Sequence, residues 1–322
     1  MDRTTPEPLT RRANRAPRRG LASLLLLSLL SGCSLLLAGP DREPHALIIG
    51  LDGVRPDALQ AAHTPNLDRL VRDGQVSWDA YAGGGRDEGD PTQQATSSGP
   101  GWTSILTGVW VDRHGVRDND FAGNHVDEYP HLFVRLREAR PDLQLSSVAH
   151  WTPIHEHLLR PFPGAADFLA DARSDAEVET FGVGVLERPD TDVLFLHFDE
   201  VDGAGHGHGY AVDVPAYIAA IETVDAHIGE VLAALGGRAT RADEDWLVMV
   251  TTDHGGLGTS HGGQSVDERA IFVIARRDRG PFGEVVTPGP GHTIVARTVL
   301  EHMGVDPSSS WHMADGEAFG QR

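Results

Sequence analysis

The chain has 322 residues, 40% of them hydrophobic and 23% charged, with a formal net charge of −20 and a single cysteine. That length and composition suit one large or two small globular domains with a real core, and exclude a fibrous or wholly disordered chain. Such an acidic balance excludes nucleic-acid binding through a general basic surface, and one cysteine excludes an internal disulfide.

At the N-terminus, Arg11, Arg12, Arg15, Arg18 and Arg19 precede an apolar run over residues 21–30. The run is too short to span a bilayer as a helix, and a basic segment followed by a short apolar one reads as an export signal. It ends in Leu30-Ser31-Gly32-Cys33, which resembles the lipobox of bacterial lipoproteins, with the one cysteine where cleavage and lipidation need it. The expectation is a lipoprotein signal peptide over 1–33, a Gly/Pro/charged tether over 34–44 and a single domain over 45–322. The protein would then be exported and anchored to the bacterial envelope through Cys33, on the periplasmic side or the cell surface. Removing residues 1–32 takes away six arginines and two acids, deepening the net charge from −20 to −24. An anionic ligand would need a local positive centre, which bound metal can supply.

Residues 46–51 read as a buried strand, and 64–73 as a helix with Thr64 as N-cap and Pro65 in the first turn. Residues 83–101 are a Gly-rich polar loop of a length usually reserved for function. A helix is predicted over 129–140, strands over 143–148 and 193–198, and a long helix over 214–235 closed by Gly236-Gly237. Strands over 246–251 and 270–275 and a helix over 292–303 follow. Apolar runs alternating with helices predict an α/β fold with three α/β/α layers and a mostly parallel central sheet.

In such sheets ligands bind beyond the carboxyl ends of the strands. Asp52 follows the first strand; Asp199, Asp202 and His206 follow 193–198; Asp253, His254 and then His261 follow 246–251. Each alone is an ordinary cap, turn or loop residue, but together they offer oxygen and nitrogen ligands for two divalent ions. Ser98, in Ser97-Ser98-Gly99-Pro100-Gly101-Trp102, reads either as the N-cap of a short helix or as a nucleophile in the positive field of that helix start.

With these motifs the sequence resembles the alkaline phosphatase superfamily over about 46–305, and most of all its nucleotide pyrophosphatase/phosphodiesterase branch. The resemblance implies an alkaline phosphatase-like fold and a hydrolase of phosphate esters, of phosphoric diester hydrolase type, with 45–322 as one catalytic domain. It implies Ser98 as nucleophile, two residues before Pro100 and ahead of Thr107-Gly108, passing through a covalent phosphoseryl-type intermediate. It implies one metal on Asp52, Asp253 and His254 with Ser98, and a second on Asp202, His206 and His261, with His292 as the alternative last ligand. The ions would be Zn²⁺, with Mn²⁺ also suited. In His114-Gly115-Val116-Arg117-Asp118-Asn119, Asn119 would help a backbone N–H at the nucleophile hold the phosphoryl oxygen. Two departures stand out: Trp102 occupies the place of the sulfatase arginine, and Gly99 that of an aromatic residue common in the phosphodiesterases. The partner implied is a small-molecule phosphate ester. The competing readings are a phosphomonoesterase, phosphonate hydrolase or sulfatase of the same superfamily, or a catalytically silent, metal-binding surface lipoprotein.

Overall fold

A computed structural model describes residues 42–278, 280, 283–307 and 318–319. Cys33 and nearly all of the expected leader and tether lie outside the described residues. Among the described residues no helix is long and apolar enough to cross a membrane.

The first strand, β1 (Glu43–Leu51), starts before the apolar run because Glu43, Pro44 and His45 already pair with a neighbouring strand. Its side chains alternate between two cores: Ala46 and Ile48 enter one, Leu47, Ile49 and Leu51 the other. A strand buried on both faces reads as a continuous apolar run for this reason. After it come α1 (Pro56–Ala61) and α2 (Pro65–Arg72). Thr64 is the N-cap residue of α2, but its side chain caps nothing. Asp225, from a later helix, does so instead, accepting from Leu67 N at 2.8 Å and Asn66 N at 3.2 Å.

The strand β2 (Gln75–Tyr81) was not foreseen, although Val76, Trp78 and Ala80 alternate with Gln75, Ser77 and Asp79 as a strand's residues do. The 83–97 loop then enters α3 (Ser98–Thr107), which is buried along its whole length. The loop is held by Arg269, which donates to the carbonyls of Gly83 and Gly85 at 3.1 and 3.2 Å and to that of Gly84. The chain continues through α4 (Val111–His114), α5 (Leu132–Ala139), β3 (Leu145–Ala149), a π-helical turn (Ile154–Leu159) and β4 (Phe168–Asp171). The remaining elements are α6 (Asp175–Leu186), β5 (Val193–Phe198), α7 (Glu200–His208), α8 (Pro215–Gly236), β6 (Glu244–Thr251), α9 (Val266–Arg269), β7 (Ala270–Arg277), β8 (Glu284–Val285) and α10 (Ile294–His302).

The sheet order is β4-β3-β5-β1-β6-β7-β2-β8. From β4 to β6 all neighbours are parallel, and β7 runs antiparallel to both β6 and β2. Helices α3, α5 and α10 cover one face and α2, α6 and α8 the other, the expected three layers.

Helix α7 carries three glycines, so intrinsic propensity argues against it by roughly 1 kcal/mol each. Tertiary contact supplies its start. Asp175, at the first turn of α6, accepts from Asp199 N at 2.9 Å and Glu200 N at 3.2 Å, and Glu200 Oε1 accepts from Asp175 N at 3.1 Å. Two helix starts therefore cap each other, and α7 is fixed at the end of β5.

At the opposite end of the sheet, Glu244 is buried against Arg238, with Arg238 Nη2 to Glu244 Oε1 at 2.7 Å and Trp246 Nε1 to Oε2 at 2.7 Å. Burial pushes the Glu244 carboxyl up, but hydrogen bonds from Arg238, Thr240 and Trp246 outweigh it and hold it at about 2. A depressed carboxylate contributes stability above its unfolded-state value near 4.5 and loses it as pH falls through about 2. Glu244→Gln, which strands a buried guanidinium, should cost about 3 kcal/mol at pH 7. Urea unfolding should show this gap closing between pH 5 and pH 2; a gap independent of pH would contradict the ion pair's contribution.

Candidate active site

The carboxyl ends of β1, β5 and β6 lie side by side, so the residues after them share one edge of the sheet. Asp52 ends β1, Asp202 and His206 sit one turn apart on α7, and Asp253 and His254 follow β6. Asp52, Asp253 and His254 each offer a ligand atom within 4.8 Å of the others, as do Asp202, His206 and His261. Ser98 is the first residue of α3 rather than its N-cap, which is Ser97; its Oγ donates to Asp52 Oδ1 at 3.4 Å. Seven residues spread over more than 200 positions thus form two groups beside one hydroxyl. His292 joins neither: it is buried and stacked on Trp110 at 4.8 Å.

The first group is completely buried. His254 Nδ1 lies 2.7 Å from the Gly255 carbonyl, so this nitrogen carries the proton and Nε2 keeps its lone pair. That lone pair stands 3.4 Å from Asp52 Oδ1 and 3.3 Å from Asp253 Oδ2. Neither Asp253 Oδ2 nor His254 Nε2 has a hydrogen-bond partner. Two of these three electron-rich atoms thus face the group with no donor, and Asp52 Oδ1 receives only the Ser98 hydroxyl at 3.4 Å, an arrangement suited to a cation. Burial, then the charges of Asp253 and Asp202, pushes Asp52 well above the usual carboxylate range; burial and then Asp202 do the same to Asp253.

The second group repeats the arrangement. His206 Nδ1 lies 3.0 Å from the Thr259 carbonyl and His261 Nδ1 3.0 Å from that of Thr96. Both Nε2 atoms are turned inward, 3.1 Å apart, with Asp202 Oδ2 3.3 Å from His206. Burial, then the neighbouring His254, pulls His261 down to about 4, so its ring is neutral at neutral pH and fit to ligate. The stacked rings of His254 and His261, 3.8 Å apart, join the two groups. The donor sets and their unpaired atoms therefore fit two divalent cations.

Three residues around these ligands escaped sequence reasoning. Tyr210 Oη donates to Asp202 Oδ1 at 2.5 Å, and its ring fits only because positions 205 and 256 are glycine. A Cβ there would come within 2.2 and 2.4 Å of the ring. Trp102 Nε1 donates to Asp52 Oδ2 at 2.8 Å, and His197 Nε2 lies 3.1 Å from the same oxygen. Trp102 carried a readable signal, since it lies one helical turn after Ser98; His197 and Tyr210 carried none.

Asn119 lies against the start of α3, next to the nucleophile. The Gly99 N–H donates to Asn119 Oδ1 at 2.8 Å, which leaves Asn119 its Nδ2 donors and engages the first amide after Ser98. The same packing explains glycine at 99, because a Cβ would approach Asp118 O to 2.5 Å and Asn119 Oδ1 to 3.0 Å. Gly99→Ala should therefore destabilise by about 1–3 kcal/mol through overpacking. Gly184→Ala, in α6 with nothing within 4 Å of the new methyl, should stabilise by about 0.5–1 kcal/mol. Thermal unfolding of the two variants checks the contrast, and equal shifts would contradict it.

Comparison with known proteins agrees with this geometry. The family model for type I phosphodiesterase / nucleotide pyrophosphatase matches residues 46–155 and 146–276. The chain is 26% identical over 256 residues to bis(5'-adenosyl)-triphosphatase ENPP4 of Bos taurus, covering 73% of this chain and 52% of that protein. It is 28% identical over 156 residues to phosphopentomutase of Pectobacterium carotovorum, covering 44% of this chain and 34% of that one. The chain thus spans about half or less of the length of these curated relatives. Among solved structures, an inactive variant of murine ectonucleotide pyrophosphatase / phosphodiesterase 5 in complex with AMP matches with a TM-score of 0.64 at 13% identity, over 86% of this chain and 97% of that one. A 2-O GAG sulfatase matches with a TM-score of 0.66 at 15% identity, over 84% and 72%. At such identities these two matches speak for the fold. The chain belongs to the type I phosphodiesterase / nucleotide pyrophosphatase family, within the alkaline phosphatase superfamily that its motifs resemble.

Proposed function

We propose that this protein hydrolyses small-molecule phosphate esters, diesters in preference to monoesters, through a covalent phosphoseryl intermediate on Ser98. The observation that carries the proposal is the pair of electron-rich groups, Asp52/Asp253/His254 and Asp202/His206/His261, flanking one hydroxyl at a helix start. Two divalent ions held there, Zn²⁺ or Mn²⁺, would lower the pKa of a bound hydroxyl, neutralise the phosphoryl oxygens and stabilise the leaving oxygen.

The chain's own residues do the rest. The first turn of α3 places Ser98 Oγ in a field that favours negative charge, with its proton directed at Asp52 Oδ1. Asn119, its amide oxygen held by Gly99 N–H, offers Nδ2 to a phosphoryl oxygen. Attack by Ser98 Oγ forms the O–P bond as the bond to the leaving alkoxide breaks, and the alkoxide takes up a proton. Water then attacks the same phosphorus, releasing the phosphate product and restoring the serine hydroxyl. Ser98→Ala should lower kcat/KM at least a thousandfold while the metal content stays at two per chain; this is the order seen when a nucleophile is removed. Chelation should abolish activity, and Zn²⁺ or Mn²⁺ should restore it. Activity indifferent to both treatments would defeat the proposal.

Preference for a diester rests on charge. The site carboxylates lie 3.1–3.8 Å from the rings of His197, His206, His254 and His261, contacts that carry no fixed positive charge. Three carboxylates and a Ser98 alkoxide balance two divalent ions, so a singly charged phosphoryl group fits better than a dianion. Bis-p-nitrophenyl phosphate should therefore be turned over faster than p-nitrophenyl phosphate, and the reverse order would remove the diester assignment.

A further inference from the structure

The two oxygens of Asp52 are treated differently. Oδ1 faces Ser98 Oγ and His254 Nε2, both at 3.4 Å. Oδ2 receives Trp102 Nε1 at 2.8 Å and His197 Nε2 at 3.1 Å. His197 Nδ1 accepts from Trp151 N at 3.4 Å, which puts the ring proton on Nε2 and makes it a second donor to the same oxygen. A carboxylate that needed only to be satisfied would gain more by spreading its two N–H donors over both oxygens.

Separate parts of the chain are shaped to produce this asymmetry. Trp102 lies four residues after Ser98 on α3, so one helical face carries the nucleophile to Oδ1 and the indole to Oδ2. His197 lies on β5 directly beside Gly50 of β1. Gly50 makes room for the indole: a Cβ there would come within 2.4 Å of it. The Trp102 and His197 rings meet edge-on at 4.7 Å and 82°, so each restricts the other. All three of Asp52, Trp102 and His197 are fully buried.

We propose that Trp102 and His197 are positioning residues that clamp Asp52 Oδ2 and thereby aim Oδ1 at a cation shared with Asp253 and His254. The clamp indexes the ligand to the nucleophile, because Trp102 and Ser98 move as one turn of α3. This assignment rests on the metal-dependent reading above. Ligands oriented by outer hydrogen bonds lose about 10–100-fold in metal affinity when those bonds are removed.

The test is a zinc titration of the full-length protein against a chromophoric chelator, with apo-protein unfolding measured in parallel. Trp102→Phe and His197→Phe keep a ring and remove the donor; His197→Gln restores an N–H near the Nε2 position. One of two zinc ions should bind about 10–100-fold more weakly in the two Phe variants, the other should be unchanged, and His197→Gln should recover most of the loss. Co²⁺ substitution should show an altered visible spectrum for one ion only. Both ions binding within threefold of wild type in the Phe variants would overturn the proposal. So would an equal weakening of both ions that tracks a lower apo melting temperature. If Trp102→Phe does not fold, the His197 pair decides. Wild-type protein that takes up no zinc or cobalt would instead remove the metal-dependent reading itself, and this assignment with it.

Discussion

Three carboxylates are brought together at the edge of the sheet, Asp52 and Asp253 fully buried and Asp202 partly so. Coulomb repulsion at such range in a low-dielectric interior amounts to several kcal/mol per pair. Buried polar contacts nevertheless hold them there: Gly53 N on Asp253, Tyr210 on Asp202, Trp102 and His197 on Asp52. None of these donors supplies the positive charge that three acids require. The three histidines do not either, since each points a lone pair inward while its other nitrogen faces a backbone carbonyl. The rest of the site's architecture makes physical sense around that shared demand for cations.

The same demand explains local choices that look costly in isolation. Helix α7 accepts three glycines and a borrowed cap because Asp202 and His206 must lie one turn apart where Tyr210 can reach under them. Helix α3 is buried from end to end, and its first turn is satisfied locally, with Gly99 N–H on Asn119 Oδ1, a proline at 100 and Gly101 N–H on the Ser97 carbonyl. Gly99 and Gly50 are each dictated by a neighbour, the Asn119 loop in one case and the Trp102 indole in the other. In the first case the packing also fills the place where many phosphodiesterases of the branch carry an aromatic residue.

Much of this was legible from residue order, and the reasons are physical. Asp52, Asp202 and Asp253 could be singled out because strand ends in a parallel sheet face one edge, and His206 because it follows the same strand end as Asp202. The choice between His261 and His292 could not be made that way, because it depends on how the 255–265 loop folds back to Thr96. Trp102 stood out only as the residue in the place of the sulfatase arginine, and His197 only as part of the 193–198 strand; both are buried, and one N–H on each separates them from ordinary packing. The short strand β4 and the helix α7 were missed where a pairing partner or a cap from α6 overrides weak local preference, whereas β2 carried a readable alternation over Gln75–Ala80.

The central claim is that two cations occupy the two groups beside Ser98, and anomalous scattering from crystals grown with zinc tests it most directly. Data collected on both sides of the zinc edge should show two peaks, one among Asp52, Asp253 and His254 and one among Asp202, His206 and His261. Zinc only at another acidic cluster, such as His150/Asp175/Glu200, or no zinc at all, would contradict the account.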